Sequence, residues 1–183
     1  MNDRISLREA YGIALRELGQ VNERVVALDA DISKSTYSWL FGEAFSERFF
    51  NLGIAEQNMV LTAAGLASVG YIPFVNSYAV FISMRACEQV RTFTAYPRLN
   101  VKLAGGHGGI SVGTDGPTHQ AIEDISIMRS IPNMTVLAPC DRWDVRACVL
   151  AAAEWDGPVY LRLARVKLDS IYTKDKTMTI GKW

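Results

Sequence analysis

Val101-Lys-Leu-Ala-Gly-Gly-His-Gly-Gly-Ile-Ser-Val-Gly-Thr-Asp-Gly-Pro-Thr-His-Gln120 joins two kinds of sequence end to end. Val101-Lys-Leu-Ala104 is a short apolar run, the composition of a buried strand. From Gly105 to Gln120 there are six glycines and one proline, which excludes a regular helix. Such a loop lets backbone approach a ligand closely. It carries both histidines of the chain, His107 and His119, with Asp115 between them. Imidazole is the side chain best suited to moving protons near neutral pH. Loops on a rigid scaffold are where catalytic groups concentrate.

Similar apolar runs lie on both sides: Val25-Val-Ala-Leu28, Phe49-Phe-Asn-Leu52, Ile72-Pro-Phe-Val75, Met134-Thr-Val-Leu137 and Val159-Tyr-Leu-Arg-Leu163. Helical patterns separate them. Ser6 and Glu9 form a capping box before the face of Leu7, Ala10, Tyr11, Ala14 and Leu18. Residues 54–69 are rich in Ala, Leu and Met, and 82–95 and 120–130 read as amphipathic helices. Asp141 is an N-cap for 142–155, which Gly157-Pro158 stops. The alternation predicts an α/β three-layer sandwich, with a mostly parallel sheet of about six strands and helices on both faces. In such sheets ligands lie beyond the carboxyl ends of the strands. Asp29 and Asp31, Glu56, Asn76 to Tyr78 and the histidine loop all fall at that edge. Residues 1–166 form one domain, and the polar tail 167–183 reads as a linker or short extension.

The 183 residues suit a single domain, able to bury about 70% of its unfolded surface without disulfides. Lys plus Arg equals Asp plus Glu at 19 each, which argues against a nucleic-acid or membrane-surface protein. The three cysteines form no CxxC pair; Cys87 and Cys148 read as small core residues, and the pattern fits a reducing, cytoplasmic setting. No apolar signal region opens the chain, and no run approaches a membrane span. Metal-ligand spacing, GxSxG, a P-loop and a helix-opening GxGxxG are all absent.

Glu56 lies in Asn51-Leu-Gly-Ile-Ala-Glu-Gln-Asn58 and is the only carboxylate from Phe49 to Ser83. It is either a solvated acid at a helix start, where the dipole favours it, or a buried one able to share a proton with a heterocycle. Tyr78 and Phe81 are either core aromatics or a shelf for a flat ring. Arg85 and Arg91 either reach phosphates or are solvated.

Asn51-Leu-Gly-Ile-Ala-Glu-Gln-Asn58, Ser77-Tyr-Ala-Val-Phe81 and Asp115-Gly-Pro-Thr-His-Gln120, in that order, resemble the pyrimidine-binding domain of transketolases. The resemblance covers roughly residues 5 to 166. It implies the thiamine diphosphate-binding fold, and two-carbon ketol transfer between sugars. Glu56 would hydrogen-bond the pyrimidine nitrogen of the cofactor, with Tyr78 and Phe81 stacking on that ring. The family usually has phenylalanine at the Tyr78 position, a change that leaves a shelf. Asp31 would sit near cofactor and donor, and Arg85 would lie on the cofactor side. His107 and His119 would bind substrate hydroxyls and relay protons, and Asp115 would contact a sugar hydroxyl.

No segment resembles the family's diphosphate-binding domain. The resemblance therefore implies a partner subunit carrying the diphosphate site and its Mg2+ or Ca2+, in a homodimer or heterotetramer with the active site at the interface. Met1 just before a capped helix fits the natural start of a split enzyme, and the short tail fits a chain cut before a C-terminal domain. Phosphate-using relatives commonly carry Arg-Pro-Ala-Asp where this chain has Ala138-Pro-Cys-Asp141. The missing arginine predicts a shifted substrate range unless Ser35, Arg142 or the partner compensates. Similar domains occur in deoxyxylulose-phosphate synthases and 2-oxoacid dehydrogenases; a non-catalytic α/β ligand-binding domain is a third reading. Asp115 to His119 favours transketolase over the dehydrogenases.

Overall fold

Strands with every residue buried need cover on both faces, and this requirement sets the layering. The structure, a computed structural model, describes residues 4–182. Its first half runs β1 (Ile5–Ser6), α1 (Leu7–Val21), β2 (Val25–Asp29), α2 (Ser33–Thr36), α3 (Trp39–Ala44), β3 (Phe49–Asn51), α4 (Glu56–Ser68) and β4 (Ile72–Tyr78). A helical segment around α5 (Cys87–Gln89) follows, then β5 (Lys102–Gly106), α6 (Asp124–Ser130), β6 (Thr135–Leu137), α7 (Arg142–Glu154), β7 (Val159–Leu163) and β8 (Lys167–Leu168). Six strands form one parallel sheet in the order β3-β2-β4-β5-β7-β6, as the alternation predicts. β2, β4 and β5 are buried along their whole length.

Side-chain alternation splits the core in two. On one face Val25, Ala27, Phe74 and Leu161 meet α1, α3 and α7 through Tyr11, Leu15, Phe41 and Val149. On the other, Val26, Leu28, Val75 and Leu103 meet α4 and α6 through Met59, Val60 and Met128. Each such aliphatic side chain stabilises the fold by about 1.5–3 kcal/mol on burial. Ser6 caps α1 by accepting from the Glu9 amide at 3.2 Å. Asp141 caps α7 through the amides of Trp143 and Asp144. Cys148 is buried and Cys87 half-buried. Among the described residues no helix is long and apolar enough to cross a membrane.

Two elements differ from the amphipathic-helix readings. Residues 82–95 do not form one α-helix: wide π-helical turns at Phe81–Arg85 and Val90–Ala95 flank α5. Of 120–130 only Asp124–Ser130 is helical, because Ala121 is committed to bridges with Gly108 and Gly109. The tail returns to the body: β8 pairs antiparallel with β1, and Asp141 Oδ2 accepts from the amides of Ile171 and Tyr172 at 2.6 and 2.7 Å.

From β2 the chain steps out to β3 and then crosses back to β4, so its direction reverses between β2 and β4. Such switch points open a crevice at the carboxyl ends of the strands. Asp29, Tyr78 and Gly106 end the strands there.

Candidate active site

Glu56 opens α4, where the helix dipole favours an acid, yet it is only 1% exposed. It is the buried acid of the two readings. Two donors reach its buried oxygens. The Ser77 hydroxyl donates to Oε1 at 3.0 Å, and Arg85 Nη1 donates to Oε2 at 2.7 Å. Ser77 is buried on β4, whereas the Arg85 side chain is 43% exposed, so the pair lies at the solvent edge of the crevice. Arg85 ends the π-helical turn that Phe81 begins, and its guanidinium lies 4.1 Å from the Phe81 ring centre.

Tyr78 and Phe81 lie together as a tilted pair, centroids 5.8 Å apart. Both imidazoles stand edge-on to them. His107 is 4.2 Å from Tyr78, and His119 is 5.4 Å from Tyr78 and 5.1 Å from Phe81. The aromatic pair and both histidines are thus one cluster beside Ser77 and Glu56. Asp115 lies on the exposed part of the loop, with its charge felt by Arg8 and His107.

His107 adopts a left-handed conformation, φ 60°, and is 2% exposed. Arg8 Nη1 faces its Nε2 at 3.3 Å and also donates to the Ser35 carbonyl. A guanidinium only donates, so His107 Nε2 accepts and the ring proton belongs on Nδ1. Burial, followed by the Arg8 and Arg165 cations, pushes the His107 pKa down to about 4, so the ring is neutral at pH 7. Burial and Arg165 likewise lower the Arg8 pKa. His107 Nδ1 and Arg8 Nε are buried donors with no hydrogen-bond partner. Buried polar groups are rarely left so. Two orphaned donors beside a cation suit an oxygen-rich, anionic ligand.

Across the switch point, Asp29 is structural. Its oxygens accept from the Ile32 amide at 2.7 Å and from the Thr36 and Ser38 hydroxyls at 2.8 and 2.7 Å. Burial raises its pKa all the same. Asp31 is exposed, at φ 65°, and accepts from Asn51 Nδ2 at 2.7 Å. Asn76 bonds the Leu28 carbonyl at 2.8 Å and accepts from Tyr11 at 2.6 Å, fixing the tops of β2 and β4. Arg142 stacks on Trp143 at 4.5 Å and lines a hollow with Ala10 and Glu17 between α1 and α7, outside the His107 cluster. Among the described residues no group of His, Cys, Asp and Glu is placed to hold a metal ion.

Sequence reasoning passed over Arg8 and Arg165, and it placed Ser77 at the sheet edge without giving it a role. Arg8 carried a signal: it lies in the first turn of α1, where the dipole disfavours a cation. Arg165 carried none.

The family model for the transketolase pyrimidine-binding domain matches residues 3–170. A putative transketolase C-terminal section of Methanocaldococcus jannaschii is 49% identical over 178 residues, covering 96% of this chain and 56% of that protein. A 6-deoxy-6-sulfo-D-fructose transketolase subunit of a Clostridium species is 43% identical over 176 residues, covering 96% and 55%. A split-gene transketolase solved as an inactive β4 tetramer superposes with a TM-score of 0.88 at 51% identity, over 97% of this chain and 57% of that one. This chain therefore spans little more than half the length of these relatives.

Proposed function

This chain belongs to the transketolase pyrimidine-binding domain family, and on that premise we propose that it is the pyrimidine-binding component of a thiamine diphosphate-dependent transketolase that moves a two-carbon ketol unit between sugars. The observation that carries the reading is Glu56, a buried carboxylate at a helix start, beside the Tyr78–Phe81 pair and the two histidines. The donor set fits a pyrimidine: a carboxyl to share a proton with a ring nitrogen, and aromatic faces to receive the ring. Thiamine diphosphate, when bound, supplies the carbon nucleophile that accepts the ketol unit. A partner subunit supplies the diphosphate site and its Mg2+ or Ca2+, and the active site forms at the interface of the oligomer.

The chain's own residues then have distinct tasks. Glu56 shares a proton with the ring nitrogen through a carboxylate oxygen, with Ser77 fixing its orientation. Neutral His107 donates from Nδ1 to a sugar oxygen, and His119, also edge-on to Tyr78, relays protons. Arg8 receives the anionic end of the sugar, with Ser35 beside it. Asp115 contacts a sugar hydroxyl, and Asp31 lies near the donor. Arg85 balances the charge of Glu56. The relative named for a sulfo-sugar makes the anionic group of the substrate a question for kinetics. The test is to produce this chain with the protein encoded beside it, add thiamine diphosphate and magnesium, and assay ketol transfer. Absence of transfer with every ketose offered rejects the reading.

A further inference from the structure

The histidine loop rests on a buried polar platform with no role in the proposed chemistry. Asp124, 1% exposed at the start of α6, accepts from Tyr160 at 2.8 Å and from Arg162 Nε at 3.0 Å. The Arg162 guanidinium then reaches both feet of the loop. Its Nη2 donates to the Ala121 carbonyl at 3.3 Å, and that carbonyl also accepts from the Gly109 amide at 2.8 Å. Gly108 lies flat on the same side chain: a Cβ there would be 2.8 Å from Arg162 Cγ and 2.9 Å from Nε. The Gly108 amide donates to the Leu163 carbonyl at 3.1 Å.

Each histidine sits close to one of these anchors. His107 directly precedes Gly108, and His119 lies two residues before Ala121. The stretch between them, which carries Asp115, is largely exposed. Its middle is held separately, where Arg165 donates to the Val112 carbonyl and Val112 is buried, so Arg162 acts at the two feet beside the histidines. A left-handed φ at a non-glycine residue persists only where the surroundings over-determine it; His107 packs against Arg8 and Tyr78, and Arg162 packs against Gly108, the residue that follows it.

We propose that Arg162, oriented by Asp124, is a positioning residue that fixes the placement of His107 and His119 by tying Gly108, Gly109 and Ala121 to one guanidinium. The inference rests on the reading of the two histidines as substrate-handling groups. Its structural half is testable without that reading. Arg suits the task because its planar fork binds a carboxylate and a carbonyl at once, which an ammonium does with less fixed geometry.

The experiment uses the full chain labelled at histidine, whose two ring signals are assigned with single His107→Gln and His119→Gln variants. Arg162→Met leaves Asp124 charged in the interior and risks misfolding. The deciding variant is Asp124→Asn/Arg162→Met, which removes both charges together, with its fold checked by circular dichroism. Arg162→Lys keeps the charge. In the folded double variant both ring signals move, and the His107 midpoint rises by about 1 pH unit or more as the ring becomes solvated. With the partner protein present, kcat/KM for the ketose falls about ten- to a hundredfold while thiamine diphosphate affinity holds. Arg162→Lys falls between the two. A folded double variant with native histidine signals and only a lowered Tm overturns the proposal. Shifted signals without ketol transfer by the native protein leave the positioning role standing and reject the transketolase reading instead.

Discussion

Arg8 Nη1 lies 3.3 Å from His107 Nε2, although 99 positions separate the two residues in the chain. The contact joins the first turn of α1 to the end of β5, and the Ser35 carbonyl shares the same guanidinium. If this cluster receives the anionic end of the sugar, Arg8→Gln removes a charge-assisted hydrogen bond. Such bonds contribute about 1.5–3 kcal/mol, so KM for an anionic ketose rises roughly ten- to a hundredfold. A neutral ketose tested in parallel is little affected. Equal losses with both reject Arg8 as the anion-binding residue.

The same contact makes stability depend on pH. The folded His107 pKa is depressed, chiefly by burial and then by Arg8, to about 4, against an ordinary value of 6.5. Between those values the unfolded chain binds a proton that the folded chain refuses. Stability therefore rises with pH across this window and is flat above it, as far as this group is concerned. Denaturant melts of the native chain and His107→Gln at several pH values check this. The variant shows a shallower loss between about pH 6.5 and 4.

Glu56→Gln keeps the shape of the side chain and its place beside Ser77, but loses the carboxylate. A group that moves a proton in the reaction typically contributes about 10²–10⁴-fold, so kcat of the reconstituted enzyme drops by that order. Turnover close to native would assign the proton sharing to another residue.

Asp141 divides its two oxygens between two tasks. Oδ1 caps α7, and Oδ2 holds the amides of Ile171 and Tyr172. Burial works against its charge, but the four amide donors outweigh it and leave its pKa below the ordinary value. The stability it contributes is present above the unfolded pKa and is lost as pH falls through the folded one. Asp141→Asn retains a single acceptor oxygen, so one task fails. Asparagine is a good N-cap, so the cap survives and the tail is released. Amide exchange at Ile171 and Tyr172 accelerates, while that of the first turn of α7 does not. Asp141→Ala loses both, at a cost of about 1–2 kcal/mol for the cap alone.

On the proposed reading, the chain by itself would hold only the pyrimidine end of the cofactor. The charge-based contacts that anchor a diphosphate would then come from a partner subunit. Calorimetry on the isolated chain therefore shows no tight thiamine diphosphate binding, with or without magnesium. Tight binding or turnover without a partner protein rejects the split-site arrangement.

Local pattern carried most of the architecture. Apolar runs separated by capped helical segments predict the six parallel strands and their two helix layers, because a strand buried on both faces must be apolar throughout. The Ser6 and Asp141 caps were legible because a cap is chemistry between residues two or three apart. Glu56 stood out as a lone carboxylate in apolar sequence. The aromatic pair and the histidine loop were visible as motifs. The π-helical turns around α5 and the non-helical start of 120–130 were not, since periodicity registers neither a widened turn nor a backbone already engaged in a distant bridge.

What sequence by itself determined, then, was which segments are strands and helices and which polar residues gather at one edge of the sheet. These follow from periodicity, capping and the carboxyl-end rule, all local or topological. Tertiary structure alone decided which charges meet. It brought Arg85 and Ser77 to Glu56, Arg8 to His107, and Arg162 with Asp124 beneath the loop. Each pairing joins separate elements, and its energy depends on burial and on distances within a few ångströms. No spacing along the chain encodes those quantities; they exist only once the two layers of helices have closed on the sheet.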